Sequence, residues 1–256
     1  MIEILKKRVG GLPVVHLNRQ LFAGLLLQDW NKQKQSDCTL RPKTSFSANG
    51  QIVAEVNGNA AMMSIFNRAD YIDADGMWLV FASKLISKTP LQERVATTDF
   101  FHDTARVCEA NGLSIFMLGS TPENNQKACE KIKKIYPAIV IAGAHHGYFG
   151  KEQEPVVLAQ IKMAKPDVLW VAMGYPRQEI FVDKYVDLLS GVTWIKTCGG
   201  LLEHILELHP RAPIWIQKIG FEWLYRLLQE PRRLTGRYLR TNPLAAWYLL
   251  TKTDRF

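Results

Sequence analysis

Residues 114–124, Ser-Ile-Phe-Met-Leu-Gly-Ser-Thr-Pro-Glu-Asn, decide how the rest of the chain is read. A short apolar run, Ser114–Leu118, stops at Gly119-Ser120, and helix-start chemistry follows at once. Ser120 with Glu123 fits a capping box, and Pro122 suits a first helical turn. Ala128, Ile132, Ile135 and Tyr136 then recur at helical spacing, with lysines between them. The alternation continues downstream. Ala138–Ala142 reads as a buried strand stopping at Gly143, and Gln153–Ala164 as an amphipathic helix. Val168–Met173 stops at Gly174, Arg177–Leu189 is helical, and Thr193–Thr197 runs out near Gly199-Gly200. This order predicts an α/β fold with a mostly parallel sheet and helices on both faces.

The first half carries the same signals more faintly. Thr44–Ala48 reads as a strand, followed by Asn49 and a helix over residues 52–66. Residues 71–76 form a strand running into a turn, with helices over Met77–Ile86 and Asp99–Asn111. Neither a G-x-G-x-x-G after the first strand nor a G-x-x-x-x-G-K-[ST] is present, so no dinucleotide or P-loop fingerprint supports the sheet.

Composition removes other classes. With 47% hydrophobic and 22% charged residues, the 256-residue chain has core enough for one large domain, or a domain plus an appendage. No apolar run approaches the roughly 18–20 residues that cross a bilayer. The charged opening, Met1 to Val9, lacks an apolar signal core, which argues against export. Cys38, Cys108, Cys129 and Cys198 are widely spaced, so disulfide scaffolds and cysteine zinc sites drop out and a reducing compartment is expected. The histidine spacings, His145-His146 and His204/His209, give no helical zinc pair, and no metal site is expected.

Net charge is +8, but residues 208–256 hold nine basic and three acidic residues, a net of +6, leaving only +2 for residues 1–207. The expected division is therefore a catalytic or binding body over 1–207 and a helical basic, aromatic appendage over 208–256. Arg211, Lys218, Arg226, Arg232, Arg233, Arg237 and Arg240 alternate there with Trp215, Phe221, Trp223, Tyr225, Tyr238, Trp247 and Tyr248. Apolar residues over Ile214–Leu228 fall near one helical face, and Pro231 and Pro243 are expected to separate short helices. Such a tail can dock on the body, lie in an anionic membrane surface or grip nucleic acid. The membrane surface fits best, because the tail is apolar and no nucleic-acid motif accompanies it.

Several residues carry candidate chemistry. Strand-end glycines, Gly119, Gly143, Gly174 and Gly199, either turn the chain or let a phosphate-bearing ligand approach the backbone beside helix N-termini. Asp75-Gly76 is either a simple turn or a carboxylate placed at a strand's carboxyl end as a general base; Asp73, two residues earlier, would share its face. Gly174, Pro176 and Gln178 either start a capped helix or present donors and an acceptor to an anion or sugar. His145-His146 reads as a solvated loop with ligand contact as the minor option. Tail arginines have the forked geometry that matches a diphosphate.

Seven short motifs occur in the order seen in the WecG/TagA/CpsF glycosyltransferases, glycosyltransferase family 26, which this chain resembles from about Thr44 to Tyr238. They are Ser47-Ala48-Asn49-Gly50-Gln51-Ile52-Val53, Ala74-Asp75-Gly76, Glu93-Arg94-Val95, Gly143 through Gly147-Tyr148-Phe149, Gly174-x-Pro176-x-Gln178-Glu179, Arg211-Ala212-Pro213, and Glu222-Trp223-Leu224-Tyr225-Arg226-Leu227 with Glu230-Pro231-x-Arg233. The resemblance implies a Rossmann-like body and inverting, metal-independent transfer, with no cofactor. The implied donor is a UDP-sugar carrying glucose, N-acetylmannosamine or its uronic acid. The implied acceptor is a polyprenyl-diphosphate-linked glycan of surface or exopolysaccharide synthesis, used at the inner face of the cell membrane.

By the same resemblance Asp75 deprotonates the acceptor hydroxyl, while Ser47 and Asn49 line the sugar site. Gln178 contacts substrate near the nucleotide-sugar, and the appendage closes over the site with Arg226 and Arg233 toward the diphosphate. From their strand-end and tail positions, Gly119, Ser120, Gly143, Gly174, Pro176 and Arg237 are expected to contact the substrate as well. The chain departs from the family in having Ser47 where threonine is usual. No glycine follows Arg94-Val95-Ala96, and Gly236 precedes Arg237 where two basic residues are common. A non-catalytic nucleotide- or nucleic-acid-binding module with a basic tail is the alternative reading, and homo-oligomerisation stays open.

Overall fold

The computed structural model describes residues 2–36 and 38–255 and contains eight strands among these residues. They are β1 (Lys6–Val9), β2 (Leu12–Val15), β3 (Lys43–Ala48), β4 (Tyr71–Ala74), β5 (Ser114–Gly119), β6 (Val140–His145), β7 (Val168–Ala172) and β8 (Trp194–Thr197). Six of them form one sheet in the order β4-β3-β8-β7-β5-β6, flanked by helices. The pairs β3–β8, β8–β7, β7–β5 and β5–β6 are all parallel. This is the α/β architecture that the alternating strands and helices predict. Central β7 and β8 are buried at every residue, β7 as an unbroken apolar run and β8 with Lys196 and Thr197 buried beside Trp194 and Ile195, whereas β6 at the edge is partly exposed.

Contacts divide the chain into two units. One is built chiefly from Gln20–Phe46 and Thr97–His209; the other from Glu3–Arg19, Ser47–Ala96 and Pro210–Phe256. The sequence places a boundary after residue 207. The final segment of the second unit begins near it, at Pro210, but that unit also takes in two earlier segments.

The first unit is centred on aromatic rings. Phe22, from the Arg19–Gln35 helix, stacks on Phe100 with centroids 4.8 Å apart and lies 5.3 Å from Trp194. Phe101 meets Trp170 edge-on at 5.1 Å. Buried indoles need partners for their N–H groups. Trp194 donates to Asp29 Oδ2 at 2.9 Å, and the half-buried Trp30 donates to Asp167 Oδ1 at 2.7 Å. Asp167, just before β7, also accepts from the backbone N–H and hydroxyl of Ser114, both at 2.8 Å, which ties β7 to the start of β5.

The second unit contains a hairpin that the sequence reading did not single out. Gly10 and Gly11, with φ of 58° and 85°, make the tight turn between antiparallel β1 and β2. The helix expected over 52–66 is two helices, Gly50–Asn57 and Ala60–Arg68, because Asn59 caps the second by accepting from the N–H groups of Ala61 and Met62. The face expected over Ile214–Leu228 is divided too. Helices Ile214–Lys218 and Glu222–Gln229 meet at Gly220, whose φ of 80° no helix continues through. Pro231 opens the last helix, Pro231–Thr251, as expected, but Pro243 lies inside it. Pro243 removes one N–H donor without ending the helix, because packing holds the flanking turns. Ala245 faces Gly50 of the Gly50–Asn57 helix, and Leu249 lies against Gly10.

Phe100 is fully buried among Phe22, Trp170 and Trp194. Phe100→Ala should destabilise the protein by about 3–5 kcal/mol, read as a lower urea midpoint at unchanged slope.

Candidate active site

Asp75 follows the last residue of β4, in the second unit. Its N–H bonds the carbonyl of Asp73 at 3.2 Å, so the chain has turned and strand alternation no longer applies. Asp73 is consequently buried while Asp75 is partly exposed, and the shared face expected for the two carboxylates is absent. The turn is held from both sides: Gly76 N–H donates to Ala48 at 3.1 Å, and Val95 N–H donates to Ala74 at 2.9 Å. A Cβ on Gly76 would sit 3.0 Å from Cα of Asn49, so the ends of β3 and β4 approach as closely as glycine permits. Asn49 spends its side-chain oxygen as the N-cap of the following helix, accepting from Ile52 N–H at 3.1 Å. Ser47 lies two residues earlier on β3, half-buried.

Arg94 was part of a motif but had no role from sequence; the structure gives it three contacts. Its Nε donates to the Asp75 carbonyl, Nη2 lies 4.0 Å from Asp75 Oδ1, and Nη1 lies 2.6 Å from Oε2 of Glu222. The tail arginines sit in the same unit. Arg226 belongs to the Glu222–Gln229 helix, and Arg233 and Arg237 to the Pro231–Thr251 helix. Arg233 is held by both carboxylate oxygens of Glu230, at 2.5 and 2.7 Å, and Arg237 lies over the ring of Tyr238.

The first unit gathers the strand-end loops of β5, β6, β7 and β8. At Gly119, with φ of 151°, a Cβ would collide with the backbone of Ala172, so the ends of β5 and β7 close together only through glycine. Ser120 N–H then donates to Ala172 at 3.2 Å, and Gly147 N–H donates to Ser120 at 2.8 Å. Ser120 is not the helix cap. With φ of 58°, it turns its hydroxyl to Glu203 Oε1 at 2.6 Å, and Thr121 caps the Pro122–Ile135 helix instead. Gly143 is not at a strand end either. It lies within β6, where the Phe116 ring occupies the space a Cβ would need; Gly147 holds the strand-end position. Buried Asn125 reaches the carbonyls of Met117, Gly119 and His145, at 2.9–3.1 Å, a link that its ordinary helical position concealed.

Gly174, with φ of 77°, and the cis Tyr175–Pro176 peptide lead into the Arg177–Tyr185 helix. Gln178 Oε1 accepts from the N–H groups of Gly174 and Gly199, at 3.2 and 3.0 Å, joining the β7 and β8 loops. Its Nε2 donates to Glu179 Oε1 at 2.8 Å. Glu179 is fully buried, and this burial pushes its carboxyl up to about 7 against the pull of its hydrogen bonds. Sequence reasoning named Glu179 only as part of a motif and gave Glu203 no role, because surface helices are rich in glutamate and only the fold shows Glu179 buried and Glu203 paired with Ser120.

The sequence that builds these two sets of loops has counterparts among known proteins. Residues 7–255 match the pattern described as the glycosyl transferase WecG/TagA/CpsF family. Relatives from Staphylococcus aureus strains MW2 and NCTC 8325 / PS 47 are each 34% identical over 209 residues, covering 82% of this chain and 80% of the relative. One from strain MRSA252 is 33% identical over the same span. All three carry the name N-acetylglucosaminyldiphosphoundecaprenol N-acetyl-beta-D-mannosaminyltransferase. The match across nearly the whole length makes this chain a member of the WecG/TagA/CpsF family of glycosyltransferases.

Proposed function

We propose that the protein transfers a hexose-type sugar, with inversion, from a UDP-sugar to a polyprenyl-diphosphate-linked glycan. The names of the Staphylococcus aureus relatives favour N-acetylmannosamine as the sugar and an N-acetylglucosaminyl-diphosphoundecaprenol acceptor. The observation that carries the reading is Asp75: a partly exposed carboxylate fixed by backbone bonds at the end of a strand, with Arg94 at its side.

In this mechanism the Asp75 carboxylate takes the proton of an acceptor hydroxyl. The freed oxygen attacks the anomeric carbon from the face opposite the leaving group. As that bond forms, the bond from the anomeric carbon to the diphosphate breaks and UDP departs with the electron pair. Without a metal, the growing charge is met by guanidinium groups, for which Arg226, Arg233 and Arg237 are the candidates. Arg233 would exchange Glu230 for phosphate, a swap between two acceptors of the same bidentate geometry. Gly119, Ser120, Gly174 and Pro176 would contact the nucleotide-sugar, and Gln178 would offer its second amide hydrogen. Ser47 and Asn49 would face the sugar.

The acceptor's lipid gives the tail its second role, at the inner face of the membrane. No helix among the described residues is long and apolar enough to cross a bilayer. The C-terminal helices instead expose Ile214, Trp215 (65% exposed) and Leu228 (74% exposed), interspersed with arginines, the composition of a helix lying in a charged lipid surface.

Asp75→Asn should lower turnover of UDP-N-acetylmannosamine by about 10²-fold or more, while isothermal titration finds donor binding little changed. Turnover near the wild-type rate would remove Asp75 from the base role. The membrane role is better tested by point changes than by truncation, because the last helix packs on the Gly50–Asn57 helix and its removal would expose that core. Trp215→Glu with Leu228→Glu should cut partition onto phosphatidylglycerol vesicles by about tenfold or more at low salt. Equal partition of the two proteins would rule out this surface as the contact.

A further inference from the structure

One side chain joins Asp75 to the helix that carries Arg226. Arg94 touches the Asp75 backbone through Nε, holds its Nη1 2.6 Å from Glu222 and leaves its Nη2 4.0 Å from the Asp75 carboxylate. The three side chains are 19% (Arg94), 17% (Glu222) and 25% (Asp75) exposed, sheltered enough for their mutual charges to matter. The sharing is unequal. Glu222 Oε2 forms a close ion pair at 2.6 Å that lacks the alignment of a hydrogen bond, while the Asp75 carboxylate, at 4.0 Å, is at the outer edge of one. The Glu222 end of the helix is fixed a second time, by the Trp78 indole donating to Gly220 at 3.0 Å and by the Trp78 and Phe221 rings 6.4 Å apart. Trp78 stands in the first turn after Gly76, so both attachments begin at the Asp75 corner. Arg226 lies four residues beyond Glu222, on the same helical face.

We infer that Glu222 is a positioning residue for the transfer step: it draws the Arg94 guanidinium off the Asp75 carboxylate. The inference rests on Asp75 being the base. A carboxylate gripped directly by guanidinium has its lone pairs engaged and a lower affinity for a proton, so it accepts one from a hydroxyl less readily. With Glu222 absent, Asp75 becomes the nearest anion to Arg94, while Trp78 still holds the start of the helix.

The test compares wild type, Glu222→Gln, Glu222→Asp, Asp75→Asn and the Asp75→Asn/Glu222→Gln double variant in the full chain. The probes are UDP-N-acetylmannosamine and N-acetylglucosaminyl-diphosphoundecaprenol in detergent. Glu222→Gln should lower kcat about tenfold with donor KM within about twofold, and Glu222→Asp should fall between it and wild type. Because Glu222 works through Asp75, adding Glu222→Gln to Asp75→Asn should lower turnover by less than about threefold further. A wild-type kcat for Glu222→Gln, or the same fold loss in both backgrounds, would overturn the proposal. Should Glu222→Gln fail to fold, a wild-type kcat for Glu222→Asp overturns it equally. Full turnover by Asp75→Asn alone would instead sink the base assignment, separating that failure from this one.

Discussion

The contact between Gly119 and the backbone of Ala172 is the constraint around which the first unit is organised. Neighbouring strands in a parallel sheet normally diverge at their ends into loops of independent course. Here the absence of a Cβ lets β5 and β7 stay in backbone contact one residue further. The Ser120 and Gly147 amides then lock the β6 loop onto them. Gln178 repeats the device between the β7 and β8 loops, with a side-chain carbonyl in place of a backbone one. Loops tied in this way hold their course through hydrogen bonds among themselves, which gives the proposed site a fixed scaffold.

The second unit solves a charge problem instead. Its C-terminal segment is strongly basic, yet part of that charge is locally balanced, Arg233 by Glu230 and Arg240 by Glu55. Exposed pairs of this sort contribute little to stability and exchange partners easily. A surface of paired arginines interleaved with exposed tryptophan and leucine suits the proposed encounter with both phosphate and hydrocarbon.

The α/β class could be read from the sequence because buried parallel strands and amphipathic helices leave strong periodicities, as at Ser114–Leu118 and Val168–Met173. The motif order was legible too, and it brought out Asp75 and Gln178. What stayed hidden depended on partners distant in sequence. Ser120 has the composition of a cap, but its backbone conformation and Glu203, 83 residues away, decide otherwise. Gly143 looks like a strand end until the Phe116 ring is seen beside it. Pro243 reads as a breaker, yet packing at Ala245 and Leu249 outweighs one lost donor. Arg94 and Glu222 are ordinary surface residue types, and only the fold brings them together. The Gly10-Gly11 hairpin, by contrast, was a local signal open to a closer reading of the N-terminal residues.

The far ends of the second unit clasp each other: Gly11 N–H bonds Lys252, Gly10 N–H bonds Thr253, and Arg8 exchanges bonds with Asp254. A ribosome delivers residue 8 long before residue 254. During synthesis the first unit therefore has its whole chain available, up to His209, while the hairpin still waits for its partner. The Asp75 corner gains its arginine-bearing helices only once Glu222–Gln229 and Pro231–Thr251 have been delivered, so a nascent chain cannot assemble the proposed catalytic groups before then.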